Sequence, residues 1–298
     1  YRNVEDKPGL LVEPKEVKAP RELLELKVCD IAMGSGAFLV QAVRYLGDRL
    51  VEAWDRALAE AHEQDELATL TMPHAEPVRD HEGERAIDPE RREEMVLWAR
   101  RYVVERCIYG VDVNPLAVEM AKLSLWLTTL SEDRPFTFLD HALKCGDSLV
   151  GVDIEQVLTW SLDRKGEAPL FESVVRRAVD EALNLRQELQ QITVMDAADS
   201  ERKRALNTRA EAAMEQVKLA GDLIVSPCFA GSQAISRDAL FNRYLRVMED
   251  ETWDALRRES DLLLNGQRTF HWPLEFPEVF GGSEGFSAIV GNPPFVGG

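Results

Sequence analysis

Apolar residues along this chain fall into short continuous runs, separated by longer stretches in which they recur every three to four positions. Positions 26–31 form the first run, which ends in a glycine turn and leads into a helical pattern over 38–50. Residues 51–101 read as mostly helical and charge-rich, with a proline-, histidine- and glycine-containing break near 72–83. A second strand is predicted at 106–112, RCIYGVD. Asn114 and Pro115 then open an amphipathic helix through Leu130, asparagine as the cap and proline in the first turn, where no N–H is needed. A third strand fits 141–145 and runs into GDSL.

From about 152 to 267 the pattern changes to long helices. Phe171, Val174, Val175, Ala178, Val179, Ala182 and Leu189 recur at helical spacing, as do Leu206, Ala213, Met214, Val217 and Ala220. These predict a helical hairpin, followed by one further helix over 239–264. A Trp- and Pro-rich connector, FHWPLEFPEVFGG, then returns to a last apolar strand at 286–290, which runs into GNPPF. Short strands alternating with helices argue for an α/β fold: a mostly parallel sheet wound on both faces, with the helical block inserted between its third and fourth strands. The expected division is an N-terminal arm (1–27), the first part of the core (28–152), a helical insertion (153–270) and the continued core (271–298).

Composition places the chain among soluble globular proteins, since 45% of its 298 residues are hydrophobic and 30% charged. No apolar run reaches the roughly 20 residues of a membrane helix and no signal-peptide core opens the sequence, so a cytoplasmic location is expected. Cys29, Cys107, Cys145 and Cys228 show no CxxC spacing, which makes a zinc or disulfide reading poor. The first three lie in strand-like stretches where a buried, reduced thiol is expected. Lys and Arg number 35 against 53 Asp and Glu, a net charge of -18. That balance argues against a self-sufficient nucleic-acid binder, because phosphates are gripped by Lys and Arg.

Candidate chemistry gathers at the ends of the predicted strands. VCDIAMGSGAFLV puts Gly34 and Gly36 between a strand and a helix, where a nucleotide cofactor would sit. Position 39 is Leu39 rather than the third glycine of a dinucleotide fingerprint, and Met33 stands where a hydrolase elbow needs glycine. A cofactor with an adenosine but no phosphate fits best. Asp112 ends the second strand, where a carboxylate can accept both hydroxyls of a ribose. Asp147 follows the third strand and could accept from an adenine amino group. Each acid also has a plain structural reading, Asp112 assisting a helix N-terminus and Asp147 in an ordinary turn.

Asn292, Pro293, Pro294 and Phe295 follow the fourth strand. The 6-amino group of adenine delocalises its lone pair into the ring and is a poor nucleophile. Accepting its two protons, one on the Asn292 side-chain oxygen and one on the Pro293 carbonyl, would localise that lone pair and aim it at an electrophilic methyl. Proline fixes φ and has no N–H, so the segment presents carbonyls rigidly. Phe295 supplies a face on which an extruded base can stack.

In this order the motifs resemble those of the DNA adenine-N6 methyltransferases of restriction-modification and related phage-defence systems. The matches are Asp30 to Phe38, Asp112 in YGVDVNPLAVEMAKLSLWL, Asp147 with Ser148, and Asn292 to Phe295. The connector WPLEFPEVF before GFSAIVGNPPF is similar to the large methylases of type IIG restriction enzymes. The resemblance implies a Rossmann-like sheet that uses S-adenosyl-L-methionine. Asp30, Ala32, Gly34, Gly36, Phe38, Val113 and Ser148 would line the cofactor pocket, Asp112 would hold the ribose, Asp147 the cofactor adenine, and Asn292 to Phe295 the target base. It further implies methylation of double-stranded DNA, with nuclease or defence-system subunits as partners and no membrane. The chain stops three residues after Phe295, where such methylases continue into further strands and a target-recognition domain. It therefore reads as an incomplete catalytic core, expected to bind cofactor weakly or not at all and to turn nothing over by itself. On that reading the DNA-gripping basic surface lies elsewhere. RNA adenine, a protein glutamine amide, or a non-catalytic cofactor-binding or assembly role are the alternatives.

Overall fold

The computed structural model describes residues 18–63, 69–71, 76–78, 86–87, 92–130, 138–165, 169–194, 196–231, 235–250, 252–281 and 285–292. In chain order the first elements are α1 (Pro20–Leu24), β1 (Val28–Asp30), α2 (Ala37–Glu63), β2 (Thr69–Thr71), β3 (Glu76–Val78), β4 (Ala86–Ile87), α3 (Arg92–Cys107), β5 (Ile108–Asp112), α4 (Pro115–Thr128) and β6 (Leu143–Cys145). Then come α5 (Ile154–Leu158), α6 (Pro169–Gln191), α7 (Ala197–Val225) with a 3-10 turn at Ser226–Cys228, α8 (Arg237–Asp250), α9 (Trp253–Leu264), α10 (Trp272–Glu275), α11 (Pro277–Phe280) and β7 (Ala288–Val290). No helix among the described residues is long and apolar enough to cross a membrane.

Four strands form a parallel sheet in the order β6-β5-β1-β7. The chain steps outward from β1 through β5 to β6, and β7 then returns to the other side of β1. Asp30 pairs in register with Gly110 on one side and Val290 on the other, while Asp112 pairs with Cys145. All four carboxyl ends therefore share one edge. The order reverses between β1 and β7, and open parallel sheets bind ligands outside the strand ends at such a switch point.

Strand side chains alternate between the two faces. Val28, Ile108 and Leu143 enter a core shared with α1 to α4, where Trp54, Leu50, Tyr102 and Ala121 are buried. Cys29, Tyr109, Val111 and Ala142 face the opposite core, closed by Phe270, Phe276 and Val279. Each large apolar side chain buried this way contributes roughly 1.5–3 kcal/mol. The Trp- and Pro-rich connector is thus the second lid of the sheet. Its rings interlock edge to face: Tyr109 meets Phe276 at 5.2 Å and Phe286 at 5.4 Å between centroids.

The insertion has its own core around the α6–α7 hairpin, including Phe171, Val175, Leu189, Met214 and Tyr244. Buried charges tie it to the sheet. Lys144 of β6 pairs with Glu211 of α7 and Glu275 of α10, both at 2.6 Å. Lys218 bridges the same two carboxylates at 2.6 and 2.8 Å, and Arg186 of α6 joins Glu211 at 2.6 Å. A second buried pair, Lys203 with Glu105 at 2.9 Å, fastens α7 to α3.

Helices α5 to α9 lie between β6 and β7 in the chain, and the α/β architecture agrees with the sequence pattern. Four local features differ from it. The helix expected over 239–264 is two, α8 and α9, broken at non-helical Thr252. Asp254, in the first turn of α9, suits the positive end of a helix and favours a new start there. Of the expected break near 72–83 only 76–78 is among the described residues; it is the strand β3 of a small antiparallel sheet in the order β3-β2-β4, whose two- and three-residue strands are too short to show alternation. Cys145 is exposed, because the strand ends on it, while Cys29 and Cys107 are buried. Finally, α4 is apolar on more than one side: Val118, Ala121 and Leu125 are buried, yet Leu116, Met120, Leu123 and Leu127 are exposed.

Candidate functional site

The carboxyl edge of the sheet collects the acids and glycines singled out in the sequence. Asp30, at the end of β1, is 1% exposed, and its Oδ1 accepts from the Ala32 N–H at 3.0 Å. Burial and the neighbouring Asp112 raise its pKa above the usual carboxylate range. The turn that follows is left-handed at Gly34 (φ 54°) and Gly36 (φ 80°), which glycine adopts without steric cost. A Cβ on Gly36 would lie 3.2 Å from Ala121 of α4, so this glycine lets two helices approach closely. A Cβ on Gly34 would meet nothing within 4 Å, so the turn faces open space.

Asp112 joins this turn to the next strand. Its Oδ2 accepts from the Gly34 N–H at 2.8 Å and its Oδ1 from the Asn114 N–H at 2.9 Å. Asn114 in turn caps α4, its side chain accepting from Leu116 N–H at 3.0 Å, as the sequence predicts. Asp147 is fixed in the same manner, Oδ1 by the Leu149 N–H at 3.0 Å and Oδ2 by the Gln267 amide at 2.7 Å. A carboxylate offers about four lone-pair sites, so each acid keeps acceptor capacity on both oxygens.

Apolar side chains interleave with these acids. Phe38 is 48% exposed, Val113 56% and Leu149 85%, and Ala32 is exposed as well. Ser148 contributes its backbone, its carbonyl accepting from the Trp272 indole at 2.9 Å. An edge with acceptor-rich carboxylates, exposed apolar side chains and an open glycine turn can hold a flat, hydroxylated and cationic ligand.

β7 brings the last motif to the same place. Gly291 has φ 152°, and a Cβ there would lie 2.7 Å from Asp30 Oδ1. Only a glycine lets the segment leading to Asn292 pass directly over the buried acid of β1. Asn292 itself is exposed. Pro293, Pro294 and Phe295 lie outside the described residues. The structure thus brings together Asp30, Gly34, Gly36, Asp112 and Asp147 at the sheet edge, with the approach to Asn292 beside them.

Sequence reasoning missed Gln267, Arg268 and the return segment as part of this edge. The available signal was the Asn265-Gly266 pair just before, both left-handed at φ 52° and 81°. Such a dipeptide marks a sharp change of chain direction.

With this geometry in place, comparison with known proteins is informative. Residues 106–298 match the family model described as Eco57I restriction-modification methylase. The chain is also similar to a protein of Methanocaldococcus jannaschii described as a type II restriction enzyme and methyltransferase, with 22% identity over 313 aligned positions. That alignment takes in 92% of this chain and spans 22% of the relative's length. No solved structure matches the chain.

Proposed function

The chain belongs to the Eco57I restriction-modification methylase family, and from that premise we propose that it carries the cofactor pocket and base-binding loop of a DNA methyltransferase. The reaction is transfer of a methyl group from S-adenosyl-L-methionine to the 6-amino group of adenine. The four-stranded sheet then serves as a Rossmann-like methyltransferase sheet, and 153–270 as an insertion within it.

The observation that carries this reading is the meeting of Asp30 and Gly291 at the switch point, which sets the glycine turn beside the Asn292 segment. The edge also fits the cofactor. Asp112 retains acceptor sites for two ribose hydroxyls, Asp147 for an amino group, and Gly34 faces open space. Asp30, Ala32, Gly36, Phe38, Val113 and Ser148 complete the pocket. When bound, the cofactor supplies an electrophilic methyl on a sulfonium, a charge that the three acids suit.

Asn292 and Pro293 hold the target amino group by accepting its two hydrogens, which orients the nitrogen lone pair in line with the methyl. Pro294 keeps the loop stiff, and Phe295 stacks on the base after it leaves the duplex. Transfer would break the methyl's bond to the sulfonium sulfur as the new N–C bond forms, leaving a neutral thioether, and the amino group would lose one proton toward solvent. Rate comes mainly from positioning and from hydrogen bonds that tighten as charge develops. The substrate is double-stranded DNA. A nuclease or defence-system activity accompanies it, as the name of the archaeal relative joins restriction with methylation.

Methyl incorporation into DNA by the full-length protein tests this reading. Asn292→Ala is expected to lower the rate by about a hundredfold or more. Unimpaired methylation by that variant, or methylation of RNA or protein glutamine in preference to DNA adenine, contradicts it.

A further inference from the structure

The turn that carries Asp147 does not stand alone; the chain returning from the insertion straps it down. Asp147 N–H donates to the Arg268 carbonyl at 3.0 Å, and Phe270 N–H to the Val150 carbonyl at 2.7 Å. The Trp272 indole donates to Ser148, and Val152 N–H to His271 Nδ1 at 3.1 Å. His271 is 2% exposed, and its Nε2 donates to Asp222 Oδ1 at 3.1 Å, which fixes the neutral tautomer with its proton on Nε2. Thr269 also donates to that aspartate oxygen. The two segments are pressed together: a Cβ on Gly151 would lie 2.1 Å from the Phe270 carbonyl oxygen.

Gln267 opens this strap. The left-handed Asn265 and Gly266 end α9 and swing the chain back, and the Gln267 N–H closes the turn on the Leu264 carbonyl at 3.0 Å. That reversal aims the Gln267 amide at Asp147 Oδ2, 2.7 Å away. Without it the carboxylate would keep a backbone donor on Oδ1 only and could rotate about its Cβ–Cγ bond.

We infer that Gln267 is a positioning residue that sets the plane of the Asp147 carboxylate, so that recognition of an adenine amino group depends on how the helical insertion returns to the sheet. This rests on the proposed role of Asp147 toward the cofactor. It gives the insertion a part in cofactor specificity, delivered through one side chain at its exit.

The test is a binding cycle on the full-length protein with S-adenosylhomocysteine and S-inosylhomocysteine, which differ in amino against oxo at the purine 6-position. Wild-type protein should prefer the adenosyl compound, and Asp147→Ala should erase the preference. Gln267→Ala should weaken the adenosyl compound by about tenfold, leave the inosyl compound within about twofold, and keep the unfolding midpoint. Gln267→Glu places two carboxylates together, so its adenosyl affinity should recover as the pH falls and one of them takes up a proton. Equal weakening of both compounds by Gln267→Ala, or no weakening, overturns the inference while the role of Asp147 stands. Wild-type protein that binds neither compound, or an Asp147→Ala variant that keeps the preference, overturns the reading beneath it and the inference together.

Discussion

Two groups of carboxylates sit within this fold under opposite rules. At the sheet edge, Asp112 and Asp147 each accept one N–H per oxygen from a backbone or amide donor and pair with no cation among the described residues. At the junction with the insertion, Glu211 and Glu275 have both oxygens taken by Lys144, Lys218 and Arg186. The first pair is oriented by neutral donors; the second is held by cations and largely enclosed. What separates the two groups is therefore the charge of their donors rather than the number. Neutral donors aim a carboxylate without spending its charge, whereas lysines neutralise it and turn it into a fastening between elements.

The largest effect should come from breaking the fastening. Glu275→Ala leaves Lys144 and Lys218 with Glu211 as their shared partner, and unpairing a buried charge costs about 3–5 kcal/mol. With 17% of the Glu275 side chain exposed, a loss of about 3 kcal/mol is expected in urea unfolding. A loss below about 1 kcal/mol would show that the network is not what joins insertion to sheet.

Acid should separate the two groups next. Burial opposes ionisation of Glu211 and Glu275, but the lysines beside them prevail and hold both below the ordinary carboxylate value of 4.5. A group lowered on folding stabilises the fold above its unfolded value, and that stability is lost as pH falls through the folded value. Asp30 is raised by burial and by Asp112, so it acts in the opposite sense, its protonation favouring the fold. Unfolding free energy should therefore decline from about pH 4.5 downward. Glu275→Gln should flatten that decline, and Asp30→Asn should steepen it in the interval above the ordinary aspartate value of 3.8, where the folded Asp30 takes up its proton first. A decline that is the same in all three proteins would contradict the assignment.

How far each group could be read from the sequence follows from the range of its interactions. Asp30 and Asp112 end strands and Gly34, Gly36 and Asp147 follow shortly after strand ends, where local pattern and residue type announce them. The cap at Asn114 was legible for the same reason. Lys144 finds Glu211 67 positions away and Glu275 131 away, and no periodicity links such positions. Gln267 reaches Asp147 across 120 positions through a reversal that only the paired left-handed residues foreshadow. The split between α8 and α9 was hidden because apolar spacing continues across it, and only Asp254, suited to a helix start, marks the second helix.

The difference between the two groups is most directly tested by titrating S-adenosyl-L-methionine into the full-length protein, its Asp112→Asn variant and its Glu275→Gln variant, with unfolding midpoints measured alongside. Asp112→Asn should lose about tenfold or more in affinity, as expected for a charged hydrogen-bond acceptor, with the smaller change in midpoint. Glu275→Gln should lower the midpoint and keep the affinity of the folded protein within about twofold. Equal affinity in wild type and Asp112→Asn, or a loss of affinity confined to Glu275→Gln, would contradict the assignment of the sheet edge as the cofactor pocket.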